Sequence, residues 1–152
     1  YQYLGVRGLS EPGGFNGRVL LLIDGHKVTD PNYDYAPLGE DFHLDIESIE
    51  RIEIVKGSGS AVWGTNAITA VINVIPKSGR TMQGSRFSYE EGTLERRKLY
   101  AETGDLTPSG FEYSASLGIV RSQGQRHIFY ESFNQKENNF GVSSYDDGEA
   151  AN

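Results

Sequence analysis

Lys56-Gly57-Ser58-Gly59-Ser60 follows the apolar run Ile52-Glu53-Ile54-Val55, and the stretch continues Ala61-Val62-Trp63-Gly64-Thr65-Asn66-Ala67. A lysine beside closely spaced glycines, after a strand-like segment, is the material of a phosphate cradle, in which backbone amides and an ammonium gather round an anion. The details do not fit that chemistry. A phosphate loop has Lys-Ser or Lys-Thr after its last glycine, to reach the outer phosphates and hold magnesium. Gly64 is followed by Thr65-Asn66. A dinucleotide fingerprint needs a third glycine where Val62 stands, and then a long helix. Thr69 to Ile75 is instead β-branched and stops at Pro76, which reads as a strand. The glycines then serve as tight turns between closely packed strands.

Other reactive constellations are missing too. His26, His43 and His127 are widely separated, with no pair at a metal-ligand spacing. Tyr145 to Glu149, "YDDGE", lacks the alternating ligands of a calcium loop and reads as a solvated loop. Gly57-Ser58-Gly59 is too short for a nucleophile elbow. There is no cysteine, hence no thiolate nucleophile, thiolate metal site or disulfide frame. No catalytic residue, metal site or cofactor is predicted, and the chain is not expected to be an enzyme. With 14 basic against 21 acidic residues, the net charge of −7 argues against nucleic acid as a partner.

The elements that surround these residues fall into two kinds. Up to about Gly79, apolar residues come in continuous runs, Leu20-Leu21-Leu22-Ile23 and Val71 to Ile75, as in strands buried on both faces. Glycine- and proline-rich loops lie between them, Leu9 to Gly17 and Val28 to Asp41. Asp45 to Ile49 suits one helical turn capped by Asp45. This part reads as a small α+β globule. After Gly79 the pattern becomes strict alternation. Phe87 and Tyr89, then Leu99 and Ala101, then Phe111, Tyr113, Ala115, Leu117 and Ile119 each mark one face of a strand, with polar residues between them. Val120 is an apolar exception on the polar face of the third strand. Three such segments of about ten residues suit a transmembrane barrel, and a soluble antiparallel sheet shows the same alternation. The turn "DLTPSG" at Asp105 to Gly110 would then face the periplasm, while Ser122 to Asn152, long, polar and aromatic, would be an external loop. Glu91 to Arg96 would be a short external link. No stretch approaches the roughly 20 apolar residues of a spanning helix. The chain opens at Tyr1 and closes in a polar stretch, which reads as a piece of a longer protein.

Several pieces in order carry a resemblance: "GVRG" at Gly5 to Gly8, "RVLLLIDGHKV" at Arg18 to Val28, and "IERIEIVKGSGSAVWGTNAITAVINVIPKSG" at Ile49 to Gly79. They resemble the plug domain of TonB-dependent outer-membrane receptors, whose pattern is Ile/Val-Arg-Gly, Leu-x-Asp-Gly, Ile-Glu-Arg-Ile-Glu-Val-x-Arg-Gly-Pro, Tyr/Trp-Gly-x-x-Ala and Val-Ile-Asn-Ile-Ile-x-Lys. The resemblance implies an α+β plug domain over residues 1–79, followed over 80–152 by the first antiparallel strands and an external loop of a transmembrane β-barrel. The complete barrel would have roughly 22 strands with a plugged lumen. It also implies a Gram-negative outer membrane and its lipid as surroundings. The implied function is import of a scarce nutrient such as a ferric siderophore, haem or cobalamin, driven by TonB through a plug segment outside this sequence. A soluble β-rich module binding a ligand or glycan is the alternative.

By the same resemblance, Arg7, Arg51 and Lys56 are candidate ionic contacts between plug and barrel. For Arg51, pairing with Glu50 or Glu53 competes with that role. Lys56 stands where the family has arginine; it keeps the charge and loses the planar fork. Thr69-Ala70 replaces the family's Gly-Gly. Tyr33, Asp34 and Tyr35, in the loop after Asp24-Gly25, are the candidate ligand-binding residues, pointing to the vestibule together with Leu9 to Asn16. Tyrosines there would stack on a ligand or hydrogen-bond to it, or else pack on the barrel wall. Tyr130, Phe133, Phe140 and Tyr145 of the external loop would contribute in the same way. Trp63 is expected to fill the plug core or its contact with the barrel.

Overall fold

A computed structural model describes residues 4–6, 8, 16–30, 32, 34–124, 128–143 and 148–151. The chain divides into two compact units, Tyr1–Thr81 and Met82–Asn152.

The first unit is built on a four-stranded sheet: β1 (Val19–Ile23), β2 (His26–Lys27), β3 (Ile49–Lys56) and β4 (Ala70–Pro76), in the order β2-β1-β4-β3. β1 and β4 run parallel, with Leu20 opposite Val71 and Leu22 opposite Asn73. The unbroken apolar run of β1 has its explanation in the core. Leu20 and Leu22 pack with Ala67 and Val71 on one face of the sheet. Leu21 packs with Ala36 and Val74 on the other, backed by Phe42, Leu44 and Ile49. With successive side chains pointing to opposite faces, only an all-apolar strand can serve two cores. Each fully buried leucine contributes about 1.5–3 kcal/mol.

The Asp-Gly of "IDGHK" joins β1 to β2 through two residues with positive φ, Asp24 at 49° and Gly25 at 78°. Such a pair matches the type I′ turn, whose twist suits a tight hairpin. Ile46–Ser48 is a single helical turn capped by Asp45, whose carboxylate accepts from the Glu47 N–H at 2.9 Å, as expected from the sequence. β3 lies antiparallel on β4, with an irregularity in register between Ile49 and Arg51. It forms one edge of the sheet and leaves Ile52, Ile54 and Val55 exposed.

The second unit is an antiparallel sheet of β5 (Gly84–Glu91), β6 (Arg97–Leu106), β7 (Glu112–Ser122) and, after a small hairpin of β8 (Ile128–Phe129) and β9 (Val142–Ser143), β10 (Gly148–Ala151). The order is β10-β7-β6-β5. Ser122 to Asn152 is therefore not wholly loop, as the sequence suggested. Gly148 to Ala151 pairs with Ser122 to Ile119, which starts a fourth strand. A four-residue segment is too short to display alternation, and it becomes a strand because β7 offers it an unpaired edge. The turn between β6 and β7 closes through Thr107 N–H to the Phe111 carbonyl at 2.8 Å, with Gly110 at φ 87°.

Candidate functional site

The faces of the second sheet are inverted relative to a soluble sheet. Register places Tyr89, Leu99 and Ile119 in one cross-strand row, and Phe87, Ala101 and Leu117 in the next. These rows lie on the open face: Phe87 is 67% exposed, Tyr89 55% and Leu117 51%. The opposite face of β6 carries Lys98, Tyr100, Glu102 and Gly104, all buried. Tyr100, fully buried, sits opposite Gly118, which has no side chain to compete for the space. Its hydroxyl donates to Glu102 Oε2 at 2.8 Å, the Lys98 ammonium lies 5.6 Å from its ring centroid, and Arg86 reaches Glu102 Oε1 at 3.9 Å. A buried carboxylate held by a phenol and a guanidinium satisfies the requirement that buried charge be paired. Charged and polar groups inside, bare aromatic and aliphatic rows outside: in water that arrangement is unfavourable, and in a bilayer it is the required one.

Charged and aromatic residues bracket the bare rows. Glu91, Arg97 and Arg121 form the row at one end, and Asp105 with Tyr113 the row at the other. Eight residue steps of β6 separate these rows, about 27 Å at roughly 3.4 Å per residue. Strands tilted by about 40° turn that into a band about 20 Å tall, near the roughly 25 Å of outer-membrane barrels; within it the row Ser85–Thr103–Ala115 carries two hydroxyls, bonded to each other at 2.9 Å. Phe111 and Tyr113 stack with centroids 6.4 Å apart at the short-turn end, where an aromatic girdle belongs.

In the first unit the motif residues converge into hydrogen-bonded chains. Asn73 of "VIN" accepts from the Gly25 N–H at 3.0 Å and donates to Glu53 at 3.2 Å. Glu53 in turn takes Arg51 Nε at 2.9 Å, while Arg51 reaches Glu50 at 3.2 Å. The Asp-Gly turn, the Asn of β4 and the Glu-Arg-Ile-Glu of β3 are thus one network across the sheet. Arg51 pairs with two carboxylates of its own strand and is 54% exposed. Lys56 is exposed and makes no ion pair among the described residues. Arg7 lies outside the described residues.

A second network ties the candidate ligand loop down. Lys27 donates to Asn66 Oδ1 at 2.9 Å and pairs with Asp34 at 3.5 Å. Asn66, buried and at φ 72°, donates onward to the Gly17 carbonyl at 2.9 Å. Tyr35 donates its hydroxyl to Asp41 at 2.6 Å. Asp34 is exposed and Tyr35 half-buried, so the loop presents a carboxylate beside an ammonium and holds one phenol by its own contacts. Tyr33 lies outside the described residues, as do His127 and Tyr145. Lys27, Asn66 and Asp41 were not singled out in the sequence. An asparagine just after Trp-Gly-Thr, suited to positive φ, was the available signal for Asn66.

The glycine loop spends its two glycine amides on the sheet. Gly57 N–H donates to the Thr69 carbonyl and Gly59 N–H to Ala67, so the β3–β4 pairing continues through it. A Cβ on Gly59 would stand 3.1 Å from Trp63 Cδ1 and 3.2 Å from Val71 Cγ2. The glycine is there for close packing. The helix that follows is one turn, Ser60–Trp63, against the long helix of a dinucleotide site. Trp63 is 43% exposed and lies outside the two core clusters. No group of three or more acidic or histidine side chains suited to a metal occurs among the described residues.

A strand-paired globule followed by antiparallel strands with their apolar face outward is the make-up of an outer-membrane receptor. Residues 1–71 match the model of the TonB-dependent Receptor Plug Domain family. The chain is 34% identical over 131 residues to the vitamin B12 transporter BtuB of Vibrio vulnificus (strain CMCP6), a match covering 80% of this chain and 21% of that protein. It is 29% identical over 120 residues to the vitamin B12 transporter BtuB of Vibrio cholerae serotype O1 (strain M66-2), covering 78% and 18%. To the iron-regulated outer membrane virulence protein of Vibrio cholerae serotype O1 (strain ATCC 39315 / El Tor Inaba N16961) it is 31% identical over 105 residues, covering 66% and 15%. This chain belongs to the TonB-dependent receptors of the Gram-negative outer membrane, a family of transport receptors rather than an enzyme class. It spans about a fifth of the length of these vitamin B12 transporters.

Proposed function

We propose that this chain is the plug and first barrel strands of a receptor that binds a scarce nutrient and imports it into the periplasm, with energy transmitted by TonB. The observation that carries this reading is the inverted second sheet, whose outward rows Tyr89–Leu99–Ile119 and Phe87–Ala101–Leu117 have a use only in lipid. The candidate nutrients are cobalamin, a ferric siderophore and haem. The first follows relatives named as vitamin B12 transporters, and the metal chelates follow one named as iron-regulated. Tyr33, Asp34 and Tyr35 are the proposed ligand-facing residues of the plug. Arg7, Arg51 and Lys56 are the proposed cations between plug and barrel, Arg51 acting together with Glu50 and Glu53.

The test is uptake by a strain lacking its own receptors and carrying the complete gene. Labelled cobalamin and labelled ferric siderophore are supplied separately, with and without a proton uncoupler. One of them is expected to accumulate only when the gene is present, with import lost and surface binding kept in uncoupler. Accumulation that persists in uncoupler would overturn the energised mechanism.

A further inference from the structure

The outward face of the second sheet is not evenly apolar. Between the row Phe87–Ala101–Leu117 and the row of Asp105 and Tyr113 lies the row Ser85–Thr103–Ala115. Ser85 and Thr103 stand directly opposite each other on β5 and β6, and their hydroxyls bond at 2.9 Å. Two hydroxyls carry two protons, and that bond uses one of them. Neither hydroxyl makes a second bond among the described residues. One O–H is therefore left for whatever covers the face. Hydrocarbon offers it no acceptor, and an unmade hydrogen bond is costly there.

The neighbouring residues shape the surface around this pair. Ala101 and Ala115 are small, while Phe87 and Leu117, on the strands either side of Ala101, are 67% and 51% exposed. Between them runs a groove of about 470 Å³, whose lining includes Ser85, Phe87, Ala101, Thr103, Ala115 and Leu117. Two residue steps separate the hydroxyls from the row of Asp105 and Tyr113. That is about 7 Å along the strand, and about 5 Å of depth at a tilt of about 40°. The charged and aromatic row lies at the short-turn end, which is the periplasmic end by the rule that short turns face the periplasm. With that row at headgroup level, the hydroxyls reach the level where headgroups give way to hydrocarbon. A glycerophospholipid carries its ester carbonyls there, acceptors joined directly to acyl chains.

We propose that Ser85 and Thr103 form a binding site for one glycerophospholipid of the periplasmic leaflet. The hydroxyl pair donates to an ester carbonyl, and the acyl chain of that ester lies in the groove over Ala101, between Phe87 and Leu117. The ester supplies the acceptor that the pair lacks, and the chain fills space that the two alanines leave open. The inference rests on the outer-membrane reading. Heat-modifiable migration on gels reports barrel formation, and with it the fate of that reading, separately from lipid retention.

The test uses the complete receptor in detergent micelles doped with a phosphatidylethanolamine whose two chains are ester-linked, or with its ether-linked analogue of the same chain length. The ether keeps the headgroup and chains and lacks the carbonyls. Native mass spectrometry counts the lipid retained. The parent is expected to retain the ester lipid about fivefold more strongly than the ether, as for one neutral hydrogen bond. Ser85→Ala/Thr103→Val removes both hydroxyls at nearly constant shape, and should hold both lipids as weakly as the parent holds the ether. Ala101→Leu fills the groove and should lower the retention of both. Equal retention of ester and ether by the parent overturns the proposal. So does an ester preference that survives in the double variant, or unchanged retention in Ala101→Leu. A doubled mass without lipid assigns the groove to a second copy of this chain and overturns it too. If a variant forms no barrel, the parent's ester-to-ether ratio decides alone.

Discussion

The two units use one local rule to opposite ends. In the first, β1 buries Leu20 and Leu22 on one side and Leu21 on the other, so water is excluded from every apolar side chain of the strand centre. In the second, β6 buries Lys98, Tyr100 and Glu102 and turns Leu99 outward. A strand's side chains alternate in both, and what differs is the solvent each face is made for. The hydrophobic effect drives the first unit together. It gives the second sheet no reason to close in water, because its apolar rows are satisfied only when lipid covers them.

The contrast is open to attack at single residues. Leu21→Ala in the plug should cost about 2–5 kcal/mol, from lost transfer energy and the cavity left behind. Pulse proteolysis of the receptor across a urea series measures this, and a cost below 1 kcal/mol would mean the plug core is not as described. Leu117→Arg lies in the middle of the outward band and should cost about 2–4 kcal/mol of folding into lipid vesicles. Leu117→Ala should cost about 1–2 kcal/mol by the same titration, the transfer term alone, because lipid fills the space that the same truncation leaves empty at Leu21. Tyr100→Phe removes the bond to a buried carboxylate and should cost about 1.5–3 kcal/mol, read by the same vesicle-folding titration. Asn73→Ala breaks the link between the Asp-Gly turn and Glu53, mostly at exposed positions. It should cost no more than about 0.5–1.5 kcal/mol, seen as a small shift in the urea midpoint of plug proteolysis.

Much of the fold was legible because both kinds of strand announce themselves. The run Leu20 to Ile23 signals burial on two faces, and Phe111 to Ile119 signals one apolar face. Asp45 could be assigned as a helix cap because its short carboxylate reaches back to an amide two residues on, a purely local event. Alternation alone could not say whether the apolar face of β7 meets a core or lipid, since both give the same spacing. The ordered motifs of the first 79 residues resolved that ambiguity. β10 stayed hidden because pairing with β7, rather than its own four residues, makes it a strand. At the candidate site, Asp34 and Tyr35 stood out by residue type. Lys27 and Asn66 did not, because their meeting depends on residues 39 positions apart coming together. The glycine loop shows the reverse case: its composition suggested an anion site, and its two glycine amides turn out to extend the β3–β4 pairing, bonded to Thr69 and Ala67.

The central claim is that the apolar face of the second sheet meets lipid. Single cysteines placed in turn at 113 to 119 of β7, a stretch of a chain that has none of its own, can each carry a spin label in the complete receptor, with any cysteine elsewhere in it replaced by serine, reconstituted in vesicles. Collision with oxygen, which concentrates in the bilayer, should peak at Ala115, Leu117 and Ile119 and fall at Ser114, Ser116 and Gly118. Collision with a water-soluble nickel chelate should stay low at Ala115, Leu117 and Ile119. An oscillation of the opposite phase, or those three positions open to the chelate, would contradict the account and leave a sheet that faces water.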